Sequence, residues 1–180
     1  TGIRRQRQMC IRDSDTAAYL VDIGSGALTL VDQTVAVTGT TLSVADAKTI
    51  ANDTDGVVTA TITSGTAVAS LTELLNPGGG AEENAWTITL DAGDATSSTA
   101  AQLNTINAAT SETITSTAIT ALAASDLDDL TTLNTNVGGF SSLANIAEIT
   151  LTDTGACGAG AAVDFGTLET IVDNYQARYA

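Results

Sequence analysis

Thr alternates with apolar residues in several short runs along the chain. Residues 57–63, 87–90, 113–120 and 146–151 show this most clearly, and residues 17–40 follow it less regularly. A period of two is typical of half-buried β-strands, and the β-branched residues Thr, Val and Ile favour that conformation. Gly, Asp, Asn and Ser cluster between the runs and predict turns. The pattern therefore predicts a series of short strands.

A second pattern places apolar residues three positions apart, which predicts short helices. Ser43 and Thr99 each precede such a segment and are predicted N-caps, with Asp46 and Gln102 in the reciprocal position of a capping box. Ser125, with Asp128, is the predicted cap of a further segment. The five helix segments begin at Val44, Val68, Ala100, Leu127 and Phe165.

Each helix segment follows a strand candidate, and successive segments begin 24, 32, 27 and 38 residues apart. A degenerate repeat of this length is typical of solenoids. Because a helix between two strands implies a crossover connection, the strands are expected to be parallel. The predicted fold is α/β, with strand–short-helix repeats stacked as a solenoid-like parallel sheet. An ordinary α/β domain, an all-β sandwich and a β-solenoid with short helices are the alternatives.

The composition limits the possible functions. The chain is 43% hydrophobic but only 3% aromatic, so its core must consist mainly of small aliphatic side chains. A net charge of −15 argues against binding to nucleic acids or to anionic membranes. There is no His, the commonest general base and metal ligand. No apolar run is long enough to predict membrane insertion.

Residues 1–14 differ from the rest of the chain, because they contain four of its six basic residues. Residues 8–14, Gln-Met-Cys-Ile-Arg-Asp-Ser, resemble the translation of a sequencing-library adapter. We therefore expect residues 1–14 to be a non-native, disordered segment, and residues 15–180 to be a repeat module from a longer protein. A transit peptide and an RNA-binding arm are the alternatives for the first segment. Excluding it removes Cys10 and leaves Cys157, which we interpret as an inert loop residue.

Asp53 and Asp55 are weak candidates for a calcium site. With Gly56 they fit positions three, five and six of an EF-hand loop, but Ala51 and Ile62 do not fit positions one and twelve. An EF-hand is thus excluded, and a surface calcium site or a plain Asp-Gly turn remains.

Paired carboxylates are candidates for catalysis. Asp91 with Asp94, and Asp128 with Asp129, have the chemistry that glycoside hydrolysis requires. The sequence favours structural roles instead, in a turn for the first pair and at a helix N-terminus for the second. Asp91 and Asp94 are also weak calcium candidates. We expect neither catalysis nor a cofactor.

Residues 87–122 carry the best copy of the repeat, and its core is Ala-Gln-Leu-Asn-Thr-Ile-Asn-Ala-Ala-Thr at 101–110. This core resembles the Thr/Ala/Asp-rich repeats of giant cell-surface or type-I-secreted proteins of marine bacteria, especially cyanobacteria. The resemblance implies an extracellular structural or adhesive role, with neighbouring repeats, and glycan or protein surfaces, as partners. A phage fibre or another glycan- or protein-binding module is the alternative.

The same family often carries calcium-binding nonapeptide repeats. In this chain the glycines at 78–80 are not followed by the Gly-x-Asp spacing of those repeats. A calcium role is therefore not implied by the resemblance.

Overall fold

The computed structural model describes residues 9–12, 33–74, 84–143 and 145–151, where short strands alternate with short helices. The strands are β1 (Met9–Arg12), β2 (Val35–Leu42), β3 (Val58–Ile62), β4 (Ala85–Thr87), β5 (Ala121–Ser125) and β6 (Glu148–Leu151). The α-helices are α1 (Val44–Asn52), α2 (Val68–Leu71), α3 (Ala100–Asn107) and α4 (Leu127–Thr135). Single 3₁₀ turns occupy Thr72–Leu74, Ala92–Asp94 and Val137–Gly139.

All strand pairs in the described residues are parallel. One sheet has the order β1-β2-β3-β4, and the second contains β5 and β6. Two isolated parallel bridges, Thr89 with Thr115 and Ile114 with Phe140, extend the pairing beyond β4. The predicted mixed α/β class with parallel strands is therefore confirmed.

The first sheet has two local features. Strand β1 lies inside residues 1–14, for which the sequence predicts a foreign, disordered segment, and it pairs with the first half of β2. The register between β2 and β3 shifts between Ala36 and Thr41, and Gly39 has a φ of 84° in this interval. Since that conformation strongly disfavours residues with a Cβ atom, Gly39 allows the irregularity.

The helix starts follow the predicted capping residues in two of three cases. The Ser43 side chain accepts a hydrogen bond from the N–H of Asp46, and Thr99 forms a complete capping box with Gln102. Helix α4 is capped by Asp126, whose side chain accepts from the N–H of Asp129. The predicted cap at Ser125 is thus wrong.

The predicted strand at 113–120 is also wrong in its extent. Only Ile114 and Thr115 make parallel bridges there, and a turn follows. The regular strand is β5, whose sequence Ala-Leu-Ala-Ala-Ser has little intrinsic strand preference. It forms because its backbone pairs with β6.

The core lies between the inner faces of the strands and the apolar faces of the helices. In α3 the predicted face of Ala100, Leu103 and Ile106 is completely buried. Trp86, the only tryptophan, is 1% exposed on the inner face of β4. The helix segment predicted to begin at Phe165 and the loop around Cys157 lie outside the described residues.

Candidate functional site

Asp53 and Asp55 lie in the turn between α1 and β3. Asp53 is the C-cap of α1, and its backbone N–H donates to the carbonyl of Ile50 at 3.1 Å. Asp55 is exposed. At Gly56 a Cβ atom would collide with the backbone of Gln33. The glycine is therefore needed for close packing against the preceding segment.

Asp91 precedes the 3₁₀ turn that follows β4, and Asp94 is the last residue of that turn. Asp91 caps this turn, because its Oδ1 accepts from the N–H of Gly93 at 2.8 Å. Asp94 is only 5% exposed, and its Oδ1 accepts from the N–H of Val68 at 3.0 Å. Its Oδ2 has no hydrogen-bond partner. Asp94 thus caps helix α2 across a separation of 26 residues.

The described residues contain no group of three or more His, Cys, Asp or Glu side chains placed to hold one metal ion. The four weak calcium candidates therefore do not converge on one common site. Three of them take part in turns or caps, as shown above for Asp53, Asp91 and Asp94.

Asp128 and Asp129 lie in the first turn of α4, as the structural interpretation predicted. Asp126 Oδ1 accepts from the N–H of Asp129 at 2.7 Å. Partial burial raises the pKa of Asp129 above its ordinary 3.8, and the charge and hydrogen bond of Asp126 and the charge of Asp128 add to this effect.

A set of buried polar side chains joins segments that lie far apart in the sequence. We call it the polar ladder; it consists of Thr54, Asn84, Asp94, Thr110, Ser116 and Ser125. Each member hydrogen-bonds a backbone group 21 to 26 residues away. Buried polar groups are costly unless they are paired, so these bonds fix which backbone segments lie side by side.

Three members of the ladder bond residues that lie in or next to the strands of the first sheet. Thr54 Oγ1 donates to the carbonyl of Gln33 at 2.6 Å. Asn84 Oδ1 accepts from the N–H of Val58 at 2.8 Å. Thr110 Oγ1 bonds both backbone groups of Trp86 at 2.9 Å.

The other members, Asp94, Ser116 and Ser125, bond backbone groups outside the strands of the first sheet. Ser116 Oγ donates to the carbonyl of Ser142 at 2.6 Å, and Ser125 Oγ accepts from the N–H of Ala100 at 2.9 Å. Outside the core, the side chains of Lys48 and Glu73 form an ion pair at 2.9 Å, across a separation of 25 residues. Reasoning from the sequence missed the ladder. The available signal was spacing, since Asn84 and Thr110 lie 26 positions apart and each precedes an alternating run.

A polar depression of about 410 Å³ lies at the C-terminal ends of α3 and α4. It is lined by amide, hydroxyl and carboxylate side chains that include Asn107, Thr110, Glu112 and Asn136. Gly139 contributes to its wall and lies so close to Asn107 that a Cβ atom there would collide with the amide. The Thr110 hydroxyl is occupied by Trp86, and the remaining groups suit hydrogen bonding to a polar ligand.

Comparison with known proteins gives no significant match to a protein-family model, to a curated protein or to a solved structure. None of the helices in the described part of the chain is both long and apolar enough to cross a membrane.

Proposed function

We propose that the chain is a structural or adhesive repeat segment of a large secreted or cell-surface protein. Its repeats stack as a solenoid, and it performs no catalysis. The observation that supports this proposal is the recurrence of backbone and polar-ladder hydrogen bonds between residues 21 to 27 positions apart.

The energetic argument for stacking concerns the size of each repeat. A unit of about 25 residues is too short to bury its own apolar face, so it must bury that face against its neighbours. In α3, Asn104 donates to the carbonyl of Asp129 at 2.9 Å, so neighbouring helices are tied together as neighbouring strands are. Such a stack provides length and surface at low sequence complexity, which suits a stalk or an adhesin.

The charge of the chain is consistent with a role in salty water outside the cell. A net charge of −15 keeps the surface soluble, and dissolved salt screens the mutual repulsion of exposed carboxylates over about 8 Å. Calcium binding is not part of the proposal. Melting temperatures measured with calcium and with a chelator test it.

Two measurements test the proposal. Small-angle X-ray scattering of the purified chain is expected to show a particle clearly longer than it is wide; a nearly spherical particle would contradict the stacked arrangement. Antibodies against the chain are expected to label intact cells of the organism that encodes it. Labelling that requires permeabilised cells would contradict the extracellular location.

The polar depression favours a second candidate function, a glycan- or protein-binding module such as a phage fibre. Its amide and hydroxyl side chains match the hydrogen-bonding groups of sugars. A glycan array probed with the chain and with an Asn136→Ala variant tests this function. Binding that the substitution abolishes would favour the module over a purely structural segment.

A further inference from the structure

One face of β2, β3 and β4, continued by the bridged segments that follow β4, carries a series of exposed threonines. We call it the threonine face; its members are Thr41, Thr59, Thr61, Thr63, Thr87, Thr89, Thr113 and Thr115, and all are exposed. The intervening residues, such as Ala60, Ile62, Ile88 and Ile114, are buried on the inner face. The pleat therefore points every second side chain, a threonine, away from the core.

The strand register orders these threonines across the sheet. Thr41 and Thr61 are Cα partners, Thr61 and Thr87 are Cα partners, and Thr89 is bridged to Thr115. Parallel strands lie about 4.8 Å apart, and alternate residues along one strand lie about 6.6 Å apart. Thr59 has Ala36 and Ala85 as its Cα partners, so the array covers the part of the face from Thr41, Thr61 and Thr87 to Thr89 and Thr115. Within this part, methyl and hydroxyl groups repeat both along and across the strands.

The hydroxyl positions are held by local contacts at one edge of the array. The Oγ1 atoms of Thr41 and Thr63 lie 3.1 Å apart, and Thr63 Oγ1 also donates to the carbonyl of Leu42 at 3.0 Å. Because Thr has only one rotatable carbon–carbon bond in its side chain, little entropy is lost when such an array is ordered.

The threonine face is uncharged in a strongly acidic chain. Residues 57–63, 85–90 and 113–116 contain no charged side chain, whereas the whole chain has a net charge of −15. The carboxylates of Asp55, Asp91 and Glu112 lie beyond the ends of these runs. Such a surface has no charged side chain that would attract a charged ligand.

We propose that the threonine face binds ice. The exposed faces of an ice crystal are neutral lattices of water oxygens that repeat in two directions at separations of the same order as the threonine spacing. Ordered waters can bridge the Thr hydroxyl groups to the lattice, and the Thr methyl groups restrict the waters between them. An exposed array that repeats in two directions can meet a crystal surface, whereas small-molecule sites are concave. This activity rests on the sheet alone and does not depend on the chain belonging to a surface protein.

The test is growth of single ice crystals in solutions of the purified chain, followed by nanolitre osmometry. The wild-type chain is expected to facet the crystals and to open a gap between melting and freezing temperatures. Thr87→Tyr and Thr89→Tyr place bulky rings in the centre of the array and are expected to abolish most of this gap. Thr131→Tyr, at an exposed position of α4, is the matched control and is expected to leave the gap unchanged.

Folding of each variant is checked by circular dichroism, since Tyr is compatible with a strand. As a second variant, Thr89→Val keeps the shape and removes the hydroxyl group, and it is expected to reduce the freezing gap without altering the fold. The proposal is overturned if the folded wild-type chain leaves ice growth unchanged, or if both Tyr variants retain its full effect. Binding to crystalline chitin or cellulose, lost in the same variants and without any effect on ice, would overturn it in favour of a polysaccharide.

Discussion

The hydroxyl group of Thr110 satisfies both backbone groups of Trp86. Its Oγ1 accepts from the N–H of Trp86 and donates to the carbonyl of the same residue, each at 2.9 Å. Thr110 is 4% exposed, so water cannot replace these bonds. A single side chain thus takes the place that the backbone of a next strand would fill in a continuous sheet.

Replacing Thr110 by Val is therefore expected to destabilise the fold strongly. The variant keeps the volume of the side chain but leaves the N–H and the carbonyl of Trp86 without their partner. Each unsatisfied buried group costs about 1–3 kcal/mol, so we expect a loss of about 2–6 kcal/mol in the free energy of unfolding. Urea denaturation followed by circular dichroism measures it.

Two further variants separate the hydrogen bonds from other effects. Thr110→Ser keeps the hydroxyl group and is expected to lose clearly less stability than the Val variant. Thr113→Val makes the same chemical change at an exposed position and is expected to change stability by less than about 0.5 kcal/mol. Equal losses for all three variants would contradict the role of the Thr110 hydroxyl.

Asp94 offers a test that separates a helix cap from a calcium ligand. Asp94→Ala removes the acceptor of the Val68 N–H and is expected to cost about 1–3 kcal/mol. Asp94→Asn keeps an acceptor oxygen and is expected to cost less. Melting temperatures of wild type and both variants, measured with calcium and with a chelator, are expected to show the same small calcium effect. A calcium-dependent shift of many degrees that Asp94→Asn abolishes would show a metal site instead.

Substitution by alanine is expected to have different consequences at Gly139 and at Gly56. A Cβ atom at Gly139 would collide with the side-chain amide of Asn107, whereas one at Gly56 would collide with the backbone of Gln33. Both Gly→Ala variants are expected to be destabilised. Only the first is expected to be rescued by a second substitution, Asn107→Ala, because only there is the obstacle a side chain. Additive losses in the Gly139→Ala, Asn107→Ala double mutant would contradict this assignment.

The raised pKa of Asp129 predicts a small pH dependence of the free energy of unfolding. Its raised pKa means that the folded chain holds this proton to a higher pH than the unfolded chain. The contribution of this group to the free energy of unfolding therefore decreases as pH rises above about 3.8 towards the folded-state pKa. At neutral pH the ionised carboxylate is slightly destabilising.

Asp129→Asn is expected to raise the melting temperature slightly at neutral pH and to have less effect near pH 3. Because Asp129 is only partly buried, solvent screening keeps the gain small. Asp55→Asn removes the same charge from an exposed turn and controls for net charge. If Asp55→Asn raises the melting temperature by the same amount at every pH, the effect comes from the repulsion among all carboxylates and not from the surroundings of Asp129.

The sequence predicted those features that depend on neighbouring residues. The cap at Ser43, the capping box of Thr99 with Gln102, and the buried face of α3 all follow from residues within one helical turn. The alternating runs at 57–63 and 87–90 likewise located β3 and the buried residues around Trp86.

The features that the sequence did not predict depend on residues about 25 positions apart. Ser125 was expected to cap α4, but it bonds the N–H of Ala100 and leaves the cap to Asp126. Strand β5 is formed by small residues and is specified by its pairing with β6. No local pattern reveals these partners, and only the recurrence of polar residues at the same interval indicates them.

The burial of Trp86 gives the chain an internal optical probe. The indole ring is 1% exposed, its Nε1 has no hydrogen-bond partner, and no other tryptophan contributes to the signal. The fluorescence emission maximum of Trp86 is therefore expected at short wavelength in the folded chain, and it is expected to shift to longer wavelength when unfolding exposes the ring to water. Because Thr110 bonds the backbone of this same residue, fluorescence reports directly on the contact between two successive segments.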